Sequence, residues 1–123
     1  GAPGAVGAQG PPGPETFITC GTMFDTQGGT PIFISSPNFK CKITEIRVAM
    51  VDNPIASNQF LASLDGAVFS KVVVGQNEGD GFNPTPWSSD SAVTTARQPV
   101  RVDSDGGGGV STMAHISIDF VRL

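Results

Sequence analysis

The sequence has 123 residues, a formal net charge of −4 and only seven Lys and Arg residues, which are spread thinly along the chain. Because a phosphate-binding face needs clustered cations, nucleic acid is not expected as a partner. No apolar run approaches the roughly 18 residues of a membrane-spanning helix, so we expect no membrane span in this segment.

The first fifteen residues form five Gly-X-Y triplets in register, GAP GAV GAQ GPP GPE, with Gly1, Gly4, Gly7, Gly10 and Gly13 at every third position. Only Gly fits at the crowded axis of a collagen triple helix. The pattern therefore predicts a triple-helical stalk over residues 1–15, about 46 Å long at the polyproline rise, and hence a homotrimer. The alternative is a flexible Gly/Pro linker, which has no reason to place Gly at a strict period. Since the repeat is already under way at the first residue, we expect further sequence upstream.

The remaining 108 residues (123 minus 15) are enough for one domain, residues 16–123. Their apolar residues alternate or cluster in short β-rich runs and do not recur at helical spacing. The predicted strands are residues 16–24, 30–35, 41–51, 59–64, 67–74, 99–103 and 111–123, with 92–95 as an eighth. Between two of them, Asp65-Gly66 supplies the two residues of a type I′ hairpin turn.

Eight short strands in a domain of this size predict an all-β fold, and we expect an antiparallel jelly-roll sandwich, the arrangement that suits a compact trimeric head on a stalk. An immunoglobulin-like sandwich is the alternative. That fold is disfavoured because Trp87 lies in a Pro-rich stretch, FNPTPW, and because the spacing of the cysteines does not fit it.

The two cysteines, Cys20 and Cys41, both fall in predicted strands. A disulfide between them would stabilise the fold by roughly 3 kcal/mol, whereas two free thiols are the alternative for a protein that folds in a reducing cytoplasm. Two thiolates without neighbouring ligands fall short of a structural zinc site. We predict no metal and no cofactor.

No nucleophile motif accompanies His115, the only histidine, so the chain is not expected to be an enzyme. A glycan hydrolase using Asp80 and Asp90 is the catalytic alternative. The run Asp103-Ser104-Asp105 has the opening spacing of a calcium loop but lacks its downstream Glu, and a mobile Gly-rich loop is the simpler interpretation. A weak cation site near Glu78 is equally unsupported, so no ligand is assigned.

The segment 75–91, GQNEGDGFNPTPWSSDS, is predicted to be a long surface loop. It holds the only tryptophan, and aromatic rings in loops are frequent anchors for sugars or protein partners. Phe82 and Trp87 are therefore the candidate ligand contacts. The alternative is that Trp87 packs over the edge of the sandwich or against a neighbouring subunit.

A collagen-like repeat leading into a compact β head that includes KITEIRVAMVD and ends in ISIDFVRL resembles the fibre, spike and head-decoration proteins of tailed bacteriophages. The C1q and tumour-necrosis-factor-like group is a more distant resemblance, weakened by the absence of Tyr. The phage resemblance implies a trimeric structural protein on the virion surface, bound to larger virion or capsid proteins through its N-terminal side. It also implies a head that contacts a glycan or protein of the host surface. The alternative is a secreted or surface-anchored bacterial collagen-like adhesin, located outside the cell or on its surface.

Overall fold

The computed structural model describes residues 15–84 and 92–123, which contain nine β-strands. They are β1 (Thr16–Met23), β2 (Ile32–Ser35), β3 (Cys41–Met50), β4 (Asn58–Leu64), β5 (Ala67–Val74), β6 (Asp80–Pro84), β7 (Val93–Thr94), β8 (Pro99–Ser104) and β9 (Ala114–Arg122). Across this described part of the chain, no helix has the length and hydropathy that a membrane crossing requires.

The strands form two antiparallel sheets. The first sheet has the order β1-β9-β3-β6, and the short β7 also pairs with β3; the second has the order β2-β8-β4-β5. Neighbours in each sheet are mostly distant in sequence, as in the pairing of β1 with β9. The predicted all-β, antiparallel sandwich is confirmed.

The core lies between the two sheets and follows the alternation seen in the sequence. On the first sheet, β3 and β9 turn one face inward, and on the second sheet β4, β5 and β8 do the same. Full burial of each aliphatic or Phe side chain contributes about 1.5–3 kcal/mol. The fully buried side chains include Ile43, Ile46, Val48, Ile116, Ile118, Phe120, Phe60, Val72, Val74, Val100 and Val102.

Glycine sets how closely β6 approaches the second sheet. A Cβ atom on Gly81 would lie 2.9 Å from the carbonyl carbon of Val73 in β5, and closer still to its oxygen. Real Cβ atoms do not come so near backbone, so only glycine allows β6 to pass β5 at this point. The prediction of an uninterrupted surface loop over 75–91 is wrong for residues 80–84, which pair with β3.

Two other strands begin later than predicted. β2 starts at Ile32 because Pro31 has no N–H to donate to a ladder. β9 starts at Ala114 because the residues before it bond to loops: the Thr26 amide donates to the Thr112 carbonyl, and the Val51 amide donates to the Met113 carbonyl. The predicted hairpin turn is confirmed, with φ of 49° at Asp65 and 84° at Gly66, both positive as a type I′ turn requires.

The sandwich has two distinct ends, which we call the entry end and the loop end. At the entry end the chain comes in at Glu15, whose carbonyl accepts a hydrogen bond from the Arg122 amide at the end of β9. At the loop end, Met23, Ala114 and Met50 lie side by side. The connections β1–β2, β3–β4, β5–β6 and β8–β9 therefore all gather at the loop end, opposite Glu15.

Candidate functional site

The outer side of the first sheet is a concave surface, which we call the groove face. Strand register aligns its side chains in three rows that cross β1, β9 and β3, and two of these rows continue onto β6. These rows are Ile18–Asp119–Glu45, Cys20–Ser117–Arg47–Phe82 and Thr22–His115–Ala49–Asp80. The concavity has a volume of about 610 Å³, and backbone of the inward residues, including Gly21 and Gly81, contributes to its lining.

Several charged and polar groups of the groove face are paired with one another. The Arg47 guanidinium donates to Glu45 Oε2 over 2.7 Å and forms an ion pair with it at 2.6 Å. That hydrogen bond, with the charges of Glu45 and Asp119, raises the pKa of Arg47. His115 Nδ1 lies 3.3 Å from the Thr22 hydroxyl. Arg47 and His115 thus each have a polar partner on the groove face itself.

Apolar side chains at both edges of the groove face remain uncovered. Ile18 on β1 and Phe82 on β6 are each 66% exposed, and Cys20 on β1 is also exposed. Phe82 was predicted as a ligand contact in a loop; it stands instead on an edge strand of a sheet. Its contact role stays a prediction. Trp87 and Asp90 lie outside the described residues, as do Gly1, Gly4, Gly7, Gly10 and Gly13.

A second surface lies at the loop end, where three large apolar side chains project into solvent. Phe24 is 77% exposed, Val51 is 58% exposed and Ile55 is 66% exposed. Sequence reasoning missed all three. For two of them, the position in the sequence could have indicated exposure. Phe24 and Val51 directly follow the last buried residue of a strand, where the chain leaves the core.

The loop end is also acidic. Asp25, Asp52, Glu78 and Asp105 lie in its four connections, which contain no Lys or Arg. The Ser111 hydroxyl and the Gln27 amide both donate to Asp25, which lowers the pKa of that carboxyl. Basic residues concentrate elsewhere, with Lys40, Arg97 and Arg122 at the entry end.

The two carboxylates of the run Asp103-Ser104-Asp105, at the end of β8 and the start of the β8–β9 connection, are occupied by protein groups. Asp103 pairs with Arg101 at 2.9 Å, and Asp105 Oδ1 accepts hydrogen bonds from the Gln59 and Gly107 amides. In residues 15–84 and 92–123, no cluster of three or more His, Cys, Asp or Glu side chains is arranged to hold a metal. The Asp105 carboxylate thus organises the backbone at the start of this connection.

Asn58 ties the same connection to the sandwich. Its buried side chain donates to the Ser104 hydroxyl over 2.9 Å and accepts from the Gly108 amide over 3.0 Å. The Gly108 carbonyl in turn accepts from the Ile55 amide over 2.9 Å. This connection was predicted to be a mobile tip, yet these bonds fix it against the β3–β4 connection and thereby position Ile55.

The hypothesis of a disulfide between Cys20 and Cys41 is wrong, since both cysteines are free. β9 lies between their strands, and along β9 Cys20 aligns with Ser117 whereas Cys41 aligns with Arg122. Two strand spacings alone separate the cysteines by about 10 Å, beyond the roughly 7 Å that a disulfide spans between Cα atoms. Cys41 is buried, which raises the pKa of its thiol, and Cys20 opens into the groove.

Comparison with known proteins finds no matching family model and no matching curated protein. Among solved structures, the chain is similar to one from the cyanophage Pam1 capsid asymmetric unit, with a TM-score of 0.59 and 13% identity over 100% of this chain and 96% of that one. A second similar chain comes from the acidic stable capsid structure of Helicobacter pylori bacteriophage KHP30, with a TM-score of 0.47 and 8% identity over 86% of each chain. The first likeness establishes a shared fold; a TM-score of 0.47 does not.

Proposed function

We propose that this chain is a structural protein of a bacteriophage virion, without a catalytic role. The observation that carries the proposal is the fold shared with the cyanophage Pam1 capsid chain, which extends over 100% of this chain and 96% of that one. A match over nearly the whole of both chains means that the two are of similar size.

Strand order supports a jelly roll as the finer description of the sandwich. Eight strands arranged as β1-β9-β3-β6 and β2-β8-β4-β5 place most sequence neighbours in opposite sheets, with the β4–β5 hairpin as the exception, and pair the first strand with the last. Two intertwined Greek keys give this arrangement. Jelly rolls are common in viral capsid proteins, which agrees with the proposed class.

The Gly-X-Y triplets support a trimeric fibre or capsid-decorating spike. Three copies of residues 1–15 would form the stalk, fixed on its N-terminal side to larger capsid or virion proteins, and each would enter its head at Glu15. The stalk would hold three heads together with their loop ends pointing away. Weak contacts made by three linked heads reinforce one another through high effective concentration.

Attachment to the host surface is the role we propose for the loop end. Phe24, Val51 and Ile55 are exposed there without any Lys or Arg in the same connections. Exposed apolar groups within polar surroundings mark interaction sites, and the acidic carboxylates favour a partner with basic groups. A protein of the host surface fits this chemistry better than a phosphate-rich polymer.

Electron microscopy with gold-labelled antibodies against the head tests the proposal, applied to purified phage particles and to the cells that produce them. Gold on capsid faces supports a decoration protein, and gold at the tail supports receptor recognition. Label on cell envelopes with bare particles would refute the virion assignment and favour the bacterial adhesin. In a second arm, purified protein in excess should slow the adsorption of labelled particles to host cells.

A further inference from the structure

We propose that the groove face is the surface through which three copies of this chain pack around their common axis. The inference rests on the proposed trimer and adds which side of each head is covered. In a threefold ring each contact is heterologous, so one edge of the side that faces the axis meets the opposite edge of that side in the next copy. The outer side of the second sheet then faces solvent.

The point of chain entry is the first argument. Glu15 directly precedes β1, and β1 is an edge strand of the first sheet. Arg122 holds the entry point, because its amide donates to the Glu15 carbonyl over 2.9 Å and its guanidinium lies 3.7 Å from the Glu15 carboxylate. The same guanidinium lies 4.3 Å from the ring centroid of Phe39. Three strands that leave a triple helix together start close to its axis, and here each must continue directly into β1.

Surface chemistry is the second argument, and it favours a protein surface over a sugar. A sugar needs unpaired donors and acceptors, whereas Arg47 is bonded to Glu45, and His115 lies at hydrogen-bond distance from Thr22. Its two edges expose the apolar side chains Ile18 and Phe82, whereas the Arg47 side chain between them is 63% exposed and ion-paired with Glu45. Subunit interfaces bury apolar side chains and keep unpaired charge out of their core, so the two apolar edges are where neighbouring copies would meet.

Size is the third argument. Four strands give the groove face a width of about 19 Å, and the eight residues of β1 give it a length of about 27 Å. The flat area is on the order of 500 Å² and is shared between two neighbours, so each contact is smaller than the roughly 800 Å² per partner of a standard interface. The groove face would therefore add to the association that the proposed triple helix provides.

Cys20 provides a natural reporter, since it opens into the groove while Cys41 is buried. We would measure the rate at which N-ethylmaleimide alkylates the full-length chain, by intact mass, together with the oligomeric state by analytical ultracentrifugation. The variant is Phe82→Ser on the groove face. Its matched control is Phe33→Ser on the outer side of the second sheet, because Phe33 is 62% exposed and Phe82 is 66% exposed.

We expect a trimer in which Cys20 reacts at least tenfold more slowly than in dissociated chains. Phe82→Ser should raise the concentration at which the trimer dissociates at least tenfold and speed the reaction of Cys20, while Phe33→Ser changes neither. A stable trimer whose Cys20 reacts as fast as in dissociated chains, or one weakened only by Phe33→Ser, would overturn this inference and leave the proposed trimer intact. A chain that stays monomeric would overturn both, whatever the microscopy shows about the virion.

Discussion

Gly81→Ala tests the closest approach between the two sheets. The added methyl group would lie 2.9 Å from the Val73 carbonyl carbon and nearer to its oxygen, so either β6 or β5 must move. Overpacking of this kind destabilises a protein by about 1–3 kcal/mol, and we expect the upper part of that range because the obstacle is backbone. Replacing Gly also reduces the conformational entropy of the unfolded chain, which stabilises the folded state by about 0.4–1 kcal/mol. The net loss should be about 2 kcal/mol.

Gly79→Ala is the matched control, two residues away. The nearest atom to a Cβ at Gly79 is Asn53 Oδ1 at 3.5 Å, an ordinary contact, so only the effect on the unfolded chain remains. We expect a change between zero and a gain of about 1 kcal/mol. The two substitutions are chemically identical, and the structure predicts opposite signs for them.

Urea unfolding followed by circular dichroism measures both variants, on full-length protein at one fixed concentration because a trimer's stability depends on concentration. For a domain of this size, about 2 kcal/mol corresponds to a fall in Tm of roughly 8–12 °C. Equal stability of the two variants would contradict the reasoning, since it would mean that β6 does not pass the Val73 carbonyl as closely as described.

Three further results are expected. Gly66→Ala should lower the free energy of unfolding, measured in urea, by about 1–2 kcal/mol because φ is 84° at this position. A decrease of less than about 0.5 kcal/mol would contradict this prediction. Asn58→Ala should lower the free energy of unfolding by about 2–3 kcal/mol and speed hydrogen exchange of the Gly108 amide, which loses its acceptor. An unchanged exchange rate would contradict the role of Asn58 in holding this connection. Burial raises the pKa of the Cys41 thiol, so the folded state keeps a proton that the unfolded state releases. Stability should therefore fall as pH rises above the usual thiol pKa of 9.0, with a steeper slope than in Cys41→Ala.

Local sequence patterns were sufficient to predict most of the strands. Alternation in β3 and β9, and Asp65-Gly66 between β4 and β5, predict the elements and one turn because each depends on neighbouring residues alone. β6 was missed because four of the five residues in its sequence, DGFNP, disfavour strands. Its conformation depends on pairing with β3 and on the approach to β5, which no local pattern encodes.

The candidate surfaces were harder to predict because strand register creates them. The sequence is compatible with a disulfide between Cys20 and Cys41, but β9 lies between their two strands in the sheet. Likewise, nothing near Asn58 in the sequence indicates that it holds Gly108, fifty residues later. The aromatic content of 75–91 made Phe82 a candidate contact, but its place beside Arg47 on a sheet face follows only from the alignment of β3 with β6.

Gly81 links the stability of the head to the proposed trimer, because the residue after it is Phe82. If steric overlap moves β6 away from β5, Phe82 moves with it and the edge of the groove face changes shape. Gly81→Ala should therefore weaken the trimer as well as the fold. Gly66→Ala destabilises a turn at the entry end that contributes nothing to the groove face, so it should lower stability and leave the trimer unchanged.

Sedimentation at temperatures where both variants remain folded separates the two effects. Trimer dissociation at lower temperature in Gly81→Ala than in Gly66→Ala, at comparable unfolding free energy, is the expected outcome. If both variants dissociate only as they unfold, β6 is not part of the subunit contact. The proposed trimer would then have its axis on another side of β1, because the proposed triple helix would still bring three chains together at Glu15.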